Sequence, residues 1–212
     1  MVSIAGALVI NIGTLSTPWI DAMLQAGRKA CAAGIPIVMD PVGCGATAFR
    51  TTTALQLIRE IQPAVIRGNA SEIRALNSAN SSTKGVDSLH TPDQVFEDAH
   101  QLSVRTGCLV SVSGPIDLVV AGDRVARIHN GHPLMTRVTG MGCTASAVTG
   151  AFMAIEADAF AAAVHAMVTM GVAGELAAEK ASGPGSFQMH FLDVLHGLRE
   201  ADVQQLARFT CS

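Results

Sequence analysis

Short apolar runs alternate with amphipathic stretches along most of this chain. Ala7-Leu8-Val9-Ile10-Asn11-Ile12 reads as a buried strand ending in a Gly13-Thr14 turn. A helix signal follows at once: Thr17 can cap, Pro18 takes the first helical position, Asp21 falls in the first turn, and the pattern closes near Gly34. Ile35 to Met39 is a second strand running into Asp40-Pro41-Val42-Gly43, Thr51 to Ile61 a helix, and Ala64 to Arg67 a short strand. This alternation is the mark of a parallel sheet with helical crossovers. Asn77 to His90, rich in Ser, Asn and Gly, is expected to be a surface loop. Thr91-Pro92-Asp93-Gln94 then opens a helix with a Thr cap, Pro at its start and Gln at N3. Cys108 to Ser113 is a strand, and Asp117–Ala121 with Arg124–His129 forms a hairpin across Gly122-Asp123. Helices are expected over Met141 to Met153, Asp158 to about Lys180, and Gln188 to about Ala207. The pattern holds one domain over residues 1–212, without repeats or low-complexity tracts.

Composition narrows the picture. Forty-nine per cent of the 212 residues are apolar and 15% are charged, which excludes a disordered chain. With no Tyr and one Trp, the core must come from Ala, Val, Ile, Leu and Met. Fourteen basic and 17 acidic residues leave a formal charge of −3, and no basic cluster suits a nucleic-acid backbone. Five scattered cysteines without a CxxC pair argue against a disulfide framework or a zinc site and fit a reducing cytoplasm. No basic segment precedes the first apolar run, so a signal peptide is not supported. The longest apolar stretch, Ala159 to Gly174, is short for a membrane span and reads as a buried core helix, with His165 as a hydrogen-bonded core residue. No membrane partner is expected.

Polar residues collect just after the apolar strands: Asp40, Arg67-Gly68-Asn69 and Ser113-Gly114. In an open parallel sheet, ligands bind outside the carboxyl ends of the strands, so these groups are expected along one crevice. Gly140-Met141-Gly142-Cys143 leads into a helix, and unobstructed N–H groups at a helix N-terminus favour anions. The same residues also read as an ordinary glycine turn. They form neither a Walker-type loop nor the GxGxxG of a dinucleotide fold. A helix N-terminus favours the thiolate, so Cys143 could take a proton from an attacking alcohol; most free cysteines are simply small buried apolar groups. Asn69-x-x-Glu72 satisfies a capping box, and equally offers oxygen ligands for a hydrated Mg²⁺ near phosphates that Arg67 would pair with. Asp40 before Pro41 is a turn former or an acid that orients a metal-bound water. His129-x-x-His132 has too few neighbouring ligands for a metal.

Taken together these segments resemble the hydroxyethylthiazole kinase family of thiamine salvage, with a ribokinase-like α/β fold in which helices flank both faces of a mostly parallel sheet. The segments carrying the resemblance are Ala7 to Leu15, Asp40 to Thr47, Ile66 to Ile73, Val138 to Thr144, Gly183 to Phe187 and His190 to Asp193, in family order along essentially the whole chain. The resemblance implies transfer of the γ-phosphoryl group of ATP, with Mg²⁺, to the alcohol of 4-methyl-5-(2-hydroxyethyl)thiazole. It implies nucleotide binding by Arg67, Ser113 and Gly142, and substrate binding by Gly140. It also implies Mg²⁺ at Glu72, Asn69 and Asp40, and Cys143 where related kinases carry a catalytic Asp. A cytoplasmic homotrimer with sites between subunits is expected, as is a further segment of the family ahead of Met1 that contributes thiazole contacts. Other expectations stay open: a ribokinase-like kinase for a pyrimidine or pyridoxal alcohol, and a nucleotide-binding relative without transfer. A Rossmann oxidoreductase is a more distant one.

Overall fold

Seven apolar segments pair into one sheet in the computed structural model, which describes residues 1–79 and 91–212. They are β1 (Leu8–Asn11), β2 (Ile37–Asp40), β3 (Val65–Asn69), β4 (Leu109–Ser113), β5 (Asp117–Ala121), β6 (Arg124–Ile128) and β7 (Phe209–Cys211), side by side in chain order. β1 to β4 are parallel, and β4 to β7 pair antiparallel. The crossovers are α1 (Thr17–Ala32) and α2 (Ala48–Ile61), then α3 (Ala70–Ser78) followed by α4 (Pro92–Thr106). After the hairpin come α5 (Met141–Met153), α6 (Ala159–Lys180), α7 (Pro184–Gly197) and α8 (Glu200–Leu206).

Two cores lie on opposite faces of the sheet. Ile37 and Met39 of β2 join Leu57, Ile73 and Leu102 of α2, α3 and α4 in one. Val38, between them in sequence, joins Met167, Phe187 and Phe191 of α6 and α7 in the other. β3 and β4 split in the same way, with Ile66 and Val110 on the first face and Val65 and Leu109 on the second. Strands covered on both faces have no reason to alternate with polar residues, which is why they read as continuous apolar runs. The long apolar helix α6 could cross a membrane by length and composition, but 67% of its apolar window is buried inside the fold.

Several expected boundaries move. Ser16, not Thr17, precedes the first helical residue of α1 and makes no side-chain cap bond, and Asp21 lies beyond the first turn. α2 starts three residues earlier than expected, because the Thr47 hydroxyl accepts the Arg50 N–H at 3.2 Å. Asn77 and Ser78 close α3, and residues 80–90 of the expected loop lie outside the described residues. The expected last helix is instead two, α7 and α8, and the strand β7 follows them. Extended backbone at Leu198 and Arg199 breaks it, and Asp202 restarts it by accepting the Arg199 N–H at 3.0 Å. α7 begins four residues early, where Ser186 Oγ accepts the Gly183 N–H at 3.2 Å. His165 is exposed on α6, near the Phe152 ring, rather than in the core.

Candidate active site

The carboxyl ends of the four parallel strands deliver Asn11, Asp40, Arg67 with Asn69, and Ser113 to one end of the sheet. The start of α5 meets them there. Gly140 precedes that helix at φ +94°, a left-handed conformation that glycine adopts without steric penalty. The first N–H groups of a helix lack intrahelical partners, so free donors stand at this junction.

A chain of hydrogen bonds joins the helix to the strands. Asn11 Nδ2 donates to Asp40 Oδ2 at 2.8 Å and to Cys143 Sγ at 3.3 Å. Ser146 Oγ donates to the same Asp40 oxygen at 2.7 Å. Arg67 Nη1 donates to Ser146 Oγ at 3.4 Å, and Nη2 donates to Ser113 Oγ. Arg67 is only 4% exposed, yet its Nε has no partner. Ser111 Oγ, in register with Arg67 on β4, is buried and unpaired as well; a guanidinium beside a helix N-terminus is suited to an anionic ligand. Gly142 lies beside Arg67: a β-carbon there would sit 3.8 Å from Nη1, an ordinary contact.

Glu72 fastens the adjacent corner. Its Oε1 accepts the Gly43 N–H at 2.8 Å and its Oε2 the Asn69 N–H at 2.9 Å, while Asn69 Oδ1 accepts the Glu72 N–H at 3.0 Å. The expected capping box is therefore formed, and it also ties the Asp40-Pro41-Val42-Gly43 turn to the β3–α3 junction. Arg50 of α2 braces the same turns, donating to the carbonyls of Ile12, Val42 and Gly13 at 2.8, 3.0 and 3.1 Å. Burial, above all, raises the Asp40 pKa. The Glu72 charge adds to this, and the Ser146 bond, Arg67 and the Asn11 bond oppose it. Burial lowers the Arg67 pKa, against the charges of Asp40, Asp117, Glu72 and Cys143. At Asp117, burial dominates and pushes the carboxyl up to about 6, against its bond to Gly114 and the Arg67 charge.

The residues singled out in the sequence thus converge in two linked groups. Asp40, Arg67, Ser113, Gly140, Gly142 and Cys143 surround the start of α5, and Asn69 and Glu72 form the neighbouring corner. Four residues were missed: Asn11, Ser146, Arg50 and Asp117. Asn11 was visible as the one polar residue inside an apolar strand, and Ser146 as the residue one turn after Cys143. Arg50 and Asp117 carried no comparable signal. Among the described residues no three His, Cys, Asp or Glu side chains gather into a metal cage. Asp40, Glu72 and Asn69 carry hard-oxygen donors of the kind Mg²⁺ takes, one or two carboxylates with water and phosphate in its remaining positions.

Comparison with known proteins gives this geometry a context. The profile of the Hydroxyethylthiazole kinase family matches residues 1–201. The hydroxyethylthiazole kinase of Nitratidesulfovibrio vulgaris (strain DSM 19637 / Miyazaki F) is 51% identical over 208 residues, covering 98% of this chain and 78% of that protein. That of Syntrophus aciditrophicus is 51% identical over 209 residues, covering 98% and 77%. Among solved structures, the hydroxyethylthiazole kinase protein from Pyrococcus horikoshii OT3 superposes with a TM-score of 0.92 at 36% identity, over 100% of this chain and 79% of that one. The pyridoxal kinase from Staphylococcus aureus in complex with AMP-PCP superposes with a TM-score of 0.62 at 19% identity, covering 82% of this chain and 64% of that one. That likeness shows the fold alone, and it agrees with the expected ribokinase-like architecture.

Proposed function

Because the chain belongs to the hydroxyethylthiazole kinase family, we propose that it transfers the γ-phosphoryl group of ATP to the hydroxyl of 4-methyl-5-(2-hydroxyethyl)thiazole. The observation that carries this reading is the buried Arg67, with its unpaired Nε–H, set beside the first turn of α5. Arg67, Ser113 and the N–H groups around Gly142 bind the phosphates. Gly140 lines the approach of the alcohol, whose oxygen attacks the γ-phosphorus. A new P–O bond forms as the bond to the β-phosphate oxygen breaks, and ADP leaves with that electron pair. Cys143 Sγ, already an acceptor of the Asn11 amide, takes the alcohol proton.

Asp40, Asn69 and Glu72 would hold a Mg²⁺ ion, which neutralises phosphate charge when bound. A thiol is a modest base, and phosphoryl transfer has a loose transition state, so positioning and electrostatics supply most of the acceleration. Assembly as a cytoplasmic homotrimer belongs to the same reading. Trp19 and Phe49, 58% and 50% exposed in the first turns of α1 and α2, are apolar groups that such contacts would cover. The test is direct. Purified protein given ATP, Mg²⁺ and the thiazole alcohol should release ADP and the thiazole phosphate, seen by phosphorus NMR. ATP left intact, or faster phosphorylation of pyridoxal than of the thiazole alcohol, would overturn the reading.

A further inference from the structure

Asp117 opens β5 directly beside the nucleotide side of the site. Antiparallel pairing of Val112 with Leu118 sets Ser113 next to Asp117 across β4 and β5. Its Oδ1 accepts the Gly114 N–H at 2.8 Å, closing the four-residue turn that follows Ser113. Its charge also acts on the Arg67 guanidinium, and Arg67 Nη2 donates to Ser113 Oγ. One carboxylate therefore holds the turn backbone, and its charge reaches the guanidinium that donates to Ser113. Partial burial penalises its charge, and nothing in the folding of a hairpin requires an acid there. A neutral Asn or Ser would close the same turn.

We propose that Asp117 is a positioning residue for ATP: through Gly114 and Arg67 it holds the Ser113 hydroxyl and the guanidinium in the arrangement that receives the phosphates. This deepens the kinase reading and rests on it. The carboxylate acts through those two groups and needs no contact with the nucleotide. It lies on the β4–β5 side of Arg67, away from Asn11 and Cys143, so its influence should fall on ATP and not on the alcohol.

Asp117→Asn keeps an acceptor for Gly114 and removes the charge; Asp117→Ala removes both. In the full chain, KM for ATP should rise about threefold in the first and about tenfold in the second, as for loss of a charge-assisted contact. KM for the alcohol should stay within twofold of the wild type. Calorimetric titration with ATP alone should show the same ranking of Kd, and this measurement stands even if the thiazole alcohol proves not to be the acceptor. Should Asp117→Ala fail to fold, Asp117→Asn decides. Unchanged ATP affinity in the folded variants, or equal rises in both KM values, would overturn the assignment.

Discussion

In the proposed reaction Cys143 takes the alcohol proton, but a thiol would share that task with stronger groups. Its sulfur accepts the Asn11 amide, whereas Arg67 is buried and linked to both Ser113 and Ser146. General-base assistance contributes about 10²- to 10⁴-fold, and loss of a preorganised donor to a developing anion about 10²- to 10³-fold. A weak base acting on a loose transition state should fall at the bottom of its range. Cys143→Ala is therefore expected to lower kcat by less than Arg67→Ala or Glu72→Ala, measured as ADP release at saturating substrates. The reverse order would make the sulfur the main source of acceleration. At this scale the sequence showed the strand-end acids and the glycines, because short motifs keep them together. Asn11 and Ser146 were visible as residues, but not their bonds to Asp40, which span 29 and 106 residues.

Helix α6 shows what small residues achieve at the level of an element. A β-carbon on Gly171 would lie 2.5 Å from the Asn130 β-carbon and 2.8 Å from its carbonyl carbon. Asn130 in turn donates to the Leu206 carbonyl at 2.9 Å and accepts the Arg208 N–H at 2.7 Å, anchoring β7. Glu175 on the same helix pairs with Arg208 at 2.6 Å. Gly171→Ala should lower stability by about 1–3 kcal/mol, the range for overpacking a closed contact. Gly197→Ala, with open space around it, should change little. Urea midpoints compare the two, and equal effects would show that α6 can shift away from Asn130. The strands and most helices were readable from periodicity and caps. The break between α7 and α8 and the strand β7 were not, because they depend on contacts of Asn130 and Glu175 made across the fold.

Over the whole molecule, function and stability pull against each other through two acids. Asp117 has its pKa pushed from 3.8 to about 6 by burial, and Asp40 is raised for the same reason. A carboxyl raised in the folded state binds protons more tightly there than in the unfolded chain. Its contribution to stability is therefore greatest at low pH and declines as pH rises from about 4 to about 6. At neutral pH the fold carries the burden of the ionised forms. Asp117→Asn should raise Tm at pH 7.5 by roughly 2–4 °C, and the difference should shrink towards pH 4.5. A lower Tm at pH 7.5 would mean that attraction to Arg67 outweighs desolvation.

Each of the six strand pairings joins strands that are consecutive along the chain. Ladders built only between consecutive strands keep the sheet's pairings short in sequence, which favours fast folding. The bonds from Asn11 to Cys143 and from Ser146 to Asp40 span 132 and 106 residues and follow another schedule. They close only when α5 docks, so a sheet formed without that helix leaves the candidate site open.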